Sequence, residues 1–235
     1  MISKLTPKNT RSIADYVKEI KETNRLRSGS TLDHPFPTIT ISREFGCGGY
    51  PLAEELVKRL STKDQKWLLY SRELILDIAK ETDLNLELFN ESAKSGGSKL
   101  FQDLQELLGV APSDFTRYKL LAQNVRIIGD QGNAVILGAG ASILAQKETH
   151  FFNVRITGSF NFRVSRVARK LGISRYEAEK MVAEKTDERL EFIQSFSKHD
   201  ISDPGLYHMV LRNDHFETEH MADLIIEGMK KMNLI

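Results

Sequence analysis

An alternating apolar run, a glycine-rich turn and the start of an amphipathic helix follow one another in Ile39-Thr40-Ile41-Ser42-Arg43-Glu44-Phe45-Gly46-Cys47-Gly48-Gly49-Tyr50-Pro51-Leu52-Ala53. No other stretch constrains the chain as strongly, because this order reads as a strand feeding a helix through a turn able to face an anion. Gly46, Gly48 and Gly49 permit positive φ and close backbone approach. Successive amides at the positive end of a helix form a nest for phosphate. Pro51 suits the first helical turn, where its missing N–H is tolerated. The phosphate-binding spacing G-x-x-x-x-G-K-[ST] is nevertheless incomplete. Its lysine position falls on Gly49, and Tyr50 and Pro51 stand where the hydroxyl residue belongs. A plain tight turn is the competing reading. For a phosphate-holding turn, Arg43 or an arginine from a covering lid is the candidate replacement charge.

Composition narrows the classes. The 235 residues suffice for one α/β domain and a small appendage. A net charge of +1 gives no global attraction to nucleic acid or an anionic membrane, so any anion site is a local cluster. One cysteine excludes an internal disulfide and a cysteine-based zinc site. The stretch Met1-Ile2-Ser3-Lys4-Leu5-Thr6-Pro7 precedes no apolar signal core. No run approaches the roughly 18 apolar residues of a membrane span. The expectation is a soluble cytoplasmic protein.

Residues 8–27 place Ile13, Tyr16, Val17 and Ile20 on one helical face, opposite Arg11, Asp15, Lys18, Glu19, Lys21 and Glu22. Breaks at Ser28-Gly29-Ser30 and Asp33-His34-Pro35-Phe36-Pro37 set off 1–36 as a helical arm and linker. This arm either packs on its own domain or serves homodimer formation or partner docking. Within 37–235 the pattern alternates. Strands are expected at 38–42, 67–70, 134–138, 152–156 and 210–211, and helices at 51–61, 160–171, 174–196 and around 221–229. Residues 72–131 read as mostly helical, with breaks at 95–98 and near Pro112. Ser174-Arg175-Tyr176-Glu177 is a capping-box signature. Strands separated by helices imply a parallel sheet with ligands beyond the strands' carboxyl ends. The loops at 42–50, 70–73 and 138–142 then surround one site.

Cations cluster downstream. Arg163, Arg166 and Lys170 share a helical face, and Lys185 and Arg189 lie four apart on the next helix. Two such helices joined at Gly172 make either a cationic clamp for phosphoryl oxygens or a solvated face paired with Glu177, Glu179 and Glu184. His199, Asp200 and Asp203 lack a second histidine at ligand spacing and read as a loop. Cys47 reads as a small loop residue rather than a nucleophile, although a helix N-terminus lowers a thiol pKa. Phe45 is expected to pack.

The order of motifs resembles the cytidylate-kinase-like family, relatives of the P-loop nucleoside monophosphate kinases. Ser42-Arg43-Glu44-Phe45-Gly46-Cys47-Gly48-Gly49 is similar to S-R-E-[YF]-G-x-G-G, and Tyr70-Ser71-Arg72-Glu73-Leu74-Ile75 to Y-D-R-E-L-I. Val135-Ile136-Leu137-Gly138-Ala139-Gly140-Ala141 is similar to V-I-x-G-R-[GC]-A. Val154-Arg155-Ile156, Phe162 to Val167, Lys185 to Arg189 and Asp203-Pro204-Gly205-Leu206-Tyr207 follow in order. The resemblance implies a three-layer P-loop kinase-like α/β fold over 37–235. It also implies a helical acceptor-binding insert at 72–131 and a lid region at 158–200.

The implied activity is phosphoryl transfer from ATP or another nucleoside triphosphate, with Mg²⁺, to a small acceptor such as a pyrimidine monophosphate. Nucleotides are the expected ligands; nucleic acid and membrane are not expected partners. The implied roles place Ser42, Arg43 and the amides of Gly46, Cys47, Gly48 and Gly49 on the donor phosphates. Ser42 offers a hydroxyl for the metal. Arg163, Arg166 and Arg189 neutralise the transferring group, and Arg72 and Lys185 bind the acceptor. The departures all remove charge: Gly49 for lysine, as in much of the family, Ser71 for aspartate and Ala139 for arginine. The alternative is therefore a catalytically silent nucleotide-binding or regulatory protein of the same fold.

Overall fold

The segment Thr38-Ile39-Thr40-Ile41-Ser42-Arg43 alternates polar and β-branched apolar side chains, the signature of a strand with two unlike faces. In the computed structural model, which describes Tyr16, Lys18 and residues 36–63, 65–81 and 112–235, this segment is β1 (Thr38–Arg43). It lies at the centre of a five-stranded parallel sheet. Its neighbours are β3 (Ala134–Leu137) and β4 (Phe151–Thr157), and the edges are β2 (Leu68–Ser71) and β5 (Met209–Arg212). The spatial order β2-β3-β1-β4-β5 makes the gap between β1 and β3 the point where the winding reverses, where such sheets bind ligands.

Helices cover both faces. They are α1 (Gly49–Leu60), α2 (Arg72–Glu81), α3 (Pro112–Gln131), the short α4 (Ala141–Leu144), α5 (Phe160–Leu171), α6 (Arg175–Gln194) and α7 (Thr218–Lys231). Ile39 and Ile41 enter one layer with Leu52 and Leu56 of α1 and Met221, Ile225 and Met229 of α7. Ile136 and Tyr70 enter the other with Ile75, Leu121, Val125 and Ile128. Each fully buried side chain of this kind contributes about 1.5–3 kcal/mol relative to exposure. Val164, Val167, Leu171, Ala178 and Val182 join α5 to α6, and Phe45 packs among them as expected.

Successive residues of β4 set both layers. Phe151 points towards α3 and Phe152 towards α7. Each ring lies against a glycine. A Cβ on Gly129 would stand 2.0 Å from Phe151 Cζ, and one on Gly228 would stand 2.8 Å from Phe152 Cζ.

The α/β expectation is met, with shifts at element ends. α1 begins at Gly49 rather than 51 because Gly48 takes the left-handed conformation (φ 68°) that starts it. The Ser174–Glu177 capping box is present and opens α6. Residues 138–142 are not all loop, since left-handed Gly140 starts α4. Ser71 closes β2, and its hydroxyl accepts the Leu74 N–H (3.2 Å) at the head of α2. Tyr16 is buried edge-on against Tyr70 and donates its hydroxyl to Leu69 O (3.3 Å). Most of the expected arm, and 82–111 of the expected insert with its break at 95–98, lie outside the described residues. Among the described residues, no helix is long and apolar enough to cross a membrane.

Two predictions follow from this packing. Gly129→Ala forces a methyl into the Phe151 ring and should destabilise by about 1–3 kcal/mol. Urea denaturation measures this, and an unchanged midpoint would mean that α3 shifts freely. At the β4–β5 junction, His208 Nδ1 accepts the Asn153 N–H (2.9 Å) and the ring stacks on Phe152. Desolvation holds this imidazole below its usual 6.5. The folded chain then binds fewer protons than the unfolded chain. The contribution is intact above about pH 6.5 and is lost as pH falls from there through the folded-state pKa. Stability should therefore decline on acidification below about pH 6.5, and His208→Phe should make the decline shallower.

Candidate active site

The turn after β1 is built around one carboxylate. Glu44 accepts the Gly158 N–H (3.0 Å) and faces Arg163 Nε at 3.5 Å. Arg163 is buried beneath the turn. Its Nε donates to Gly158 O (3.1 Å), and its Nη1 reaches Phe45 O (3.5 Å) and Thr186 Oγ1 (3.4 Å). Gly46, with φ 94°, lies so close that a Cβ would stand 2.9 Å from Arg163 Cβ. The residue expected to neutralise a transferring group is thus engaged with oxygens of Glu44, Phe45, Gly158 and Thr186.

The Cys47 N–H, expected among the phosphate donors, closes the turn on Glu44 O (3.2 Å). Burial, reinforced by Glu44, pushes its thiol up to about 12, opposite to the lowering that a helix N-terminus alone produces. This setting favours the protonated thiol near neutral pH. No side chain caps α1, so its first-turn amides, beginning at Gly49, face the site without a capping oxygen.

Above the turn the cations differ in setting. Arg166 crosses Gly48, where a Cβ would stand 2.2 Å from its Nη2, and donates to Asn213 Oδ1 at 3.4 Å. Arg189 donates to Arg43 O (3.3 Å) and lies over the Phe45 ring at 5.7 Å. The Arg43 side chain runs between Gly49 and Gly138. Burial, followed by the nearby Arg189 charge, lowers its pKa to about 9, which leaves it cationic at neutral pH. Burial also lowers that of Arg189.

Two cavities meet at this point. One, of about 170 Å³, opens between the glycine turn, Arg166 and Lys170. The other, of about 290 Å³, is bounded by Arg72, Gly138, Lys185 and Tyr207. Arg43, Phe45, Glu73 and Arg189 border both. The three loops expected to gather do so here. Gly138, Ala139 and Gly140 all have positive φ (81°, 61° and 68°), a conformation that strains the alanine. Arg72 stacks on Phe192 at 3.9 Å, and Lys185 pairs with Glu188 at 2.6 Å.

Sequence reasoning missed a polar cluster at one edge. Ser42 and Arg155 are register partners on β1 and β4, so their side chains share a face. Arg155, buried, donates to Ser42 Oγ (3.1 Å), and the Tyr207 hydroxyl lies 3.2 Å from the same oxygen. Strand phase was the available signal for this pair. Asp203, expected in a loop, caps the turn Pro204–Leu206 that delivers Tyr207.

The comparisons with known proteins agree with this architecture. A crystal structure of an uncharacterized protein from Eubacterium ventriosum ATCC 27560 is 18% identical, covers 83% of this chain and 98% of its own, and superposes with a TM-score of 0.62. Shikimate kinase from Acinetobacter baumannii, in complex with shikimate, is 12% identical over 83% of this chain and 94% of its own, at a TM-score of 0.46. Shikimate kinase from Bacteroides thetaiotaomicron is 11% identical over 85% and 99%, at 0.44. The overlap with the two kinases is too loose to carry a substrate. No curated protein matches the chain. The model of the cytidylate kinase-like family matches residues 38–215, which include the turn, both cavities and the cations around them, and the chain belongs to that family.

Proposed function

We propose that this chain is a phosphotransferase of the nucleoside monophosphate kinase type. In this reading it moves a phosphoryl group from a nucleoside triphosphate to a small anionic acceptor such as a pyrimidine monophosphate. One observation carries the reading: two cavities, one on an uncapped helix start and one lined by Arg72 and Lys185, share a wall that contains Arg43 and Arg189. Donor phosphates lie on the turn under Arg166, and the acceptor phosphate faces Arg72. An oxygen of the acceptor phosphate attacks the terminal phosphorus. A new P–O bond forms as the bridging P–O bond breaks, and its electron pair leaves with the nucleoside diphosphate. A phosphate dianion brings its own lone pair, so the step asks for positioning and charge neutralisation rather than a strong base. Arg189, bordering both cavities, is placed to neutralise the oxygens in transfer.

Magnesium is the cofactor expected with a triphosphate, but the residues present do not fit a protein-held ion. The Ser42 hydroxyl offered to it lies 3.1 Å from the Arg155 guanidinium, which repels a divalent cation. No group of three His, Cys, Asp or Glu side chains at metal-holding distance occurs among the described residues. No step is therefore assigned to a metal.

The two lid arginines should separate under mutation. Arg166→Met should lower kcat/KM by at least about tenfold while leaving the melting temperature near that of the wild type. Arg163→Met should strand Glu44 and cost on the order of 2 kcal/mol, or about 4–8 °C in melting temperature. Coupled detection of nucleoside diphosphate over a panel of monophosphates, with melting curves, tests both. ATP binding without turnover on any acceptor would transfer the chain to the catalytically silent reading, and equal behaviour of the two variants would dismiss the division of roles.

A further inference from the structure

Position 49 explains itself only through a residue six places earlier in the chain. A Cβ on Gly49 would stand 3.0 Å from Arg43 Cγ and 3.1 Å from Leu137 Cδ1. The space that a helix-borne side chain would use is already filled by the stem of an arginine delivered from β1. The guanidinium at the end of that stem lies against the 138–140 turn, where a Cβ on Gly138 would stand 1.9 Å from its Nη1. Two glycines, one on each side, thus make room for a single side chain.

From this packing, and resting on the phosphotransferase reading above, we infer that Arg43 is the phosphate-directed cation of the turn, supplied by the strand in place of a lysine from the helix. The ligand class is a phosphoric anhydride chain, such as the polyphosphate tail of a nucleotide. Three observations support the assignment. The Arg43 guanidinium has no hydrogen bond or ion pair to any of the described residues, although it is half-buried. Its cationic neighbour Arg189 acts on it more strongly than the Glu73 carboxylate, and Arg72 adds to Arg189, so the charges around it raise the local electrostatic cost on balance. Arg43 also borders both cavities, whereas Gly49 borders only the one on the glycine turn. A planar fork can grip two phosphoryl oxygens at once, which an ammonium point charge cannot. A cation at the partition can therefore bind the last phosphates of the donor from the side that faces the acceptor.

The test is calorimetric titration of the full chain with inorganic tripolyphosphate and with ATP, in EDTA, paired with melting curves. Arg43→Met should weaken tripolyphosphate at least about tenfold, the loss of one charge-assisted contact. Its melting temperature should stay level or rise, because the guanidinium it removes has no hydrogen bond or ion pair among the described residues. Arg43→Lys should recover only part of the affinity. Gly49→Lys should not tighten binding, since its side chain meets the Arg43 stem. Equal tripolyphosphate affinity in wild type and Arg43→Met would overturn the inference alone. A parallel fall in affinity and melting temperature in both Arg43 variants would also overturn it, by making the residue structural. A wild-type chain that binds neither ligand would overturn the phosphotransferase reading, and this inference with it.

Discussion

The Glu44 carboxylate holds the working end of the molecule together. It accepts the Gly158 amide from the end of β4 and faces the buried Arg163 of α5, which in turn reaches Phe45 O and the Thr186 hydroxyl of α6. One charge pair therefore joins the glycine turn, the neighbouring strand and the helices α5 and α6. Its partial burial makes the pair costly to break, because either partner alone leaves a charge with reduced access to water. The φ of Gly46 and the engaged Cys47 amide follow from the same constraint, since the turn must wrap closely over the Arg163 stem.

Once that pair is in place, the arginines divide by environment rather than by spacing. Arg163 and Arg166 are three residues apart on α5, yet one serves the fold and the other crosses the turn at Gly48. Arg155 is buried against Ser42, and Arg72 lies over an aromatic ring. Arg43 and Arg189 stand at the partition of the cavities. A chain with almost no net charge thereby concentrates positive charge in one place, where low dielectric strengthens its effect on an anion.

Much of the fold was legible because it rests on periodicity. The alternation in β1, the continuous apolar run of β3 and the Ser174 capping box each carry their own physical reason, and each element formed where its pattern stood. The site was less legible. Helical spacing places Arg163, Arg166 and Lys170 on one face but does not say which part of that face the turn will cover. Ser71 reads as a lost charge beside phosphate, whereas its hydroxyl accepts an amide at the head of α2. The Ser42–Arg155 contact depends on pairing between strands 113 residues apart, which local patterns do not encode. Cys47 shows the same limit: a helix N-terminus pulls its acidity one way, and burial decides the other.

The phase of β4 has a consequence that reaches from the back of the sheet to its front. Phe151 and Phe152 seat helices in opposite layers, and Arg155 occupies the same alternation three and four positions later. Loss or gain of one residue ahead of Phe151 would exchange the two rings between layers and turn the guanidinium away from Ser42. The setting that spaces the helices is thus the setting that aims the buried guanidinium at Ser42, so the strand works like a key whose bow and bit cannot be turned separately.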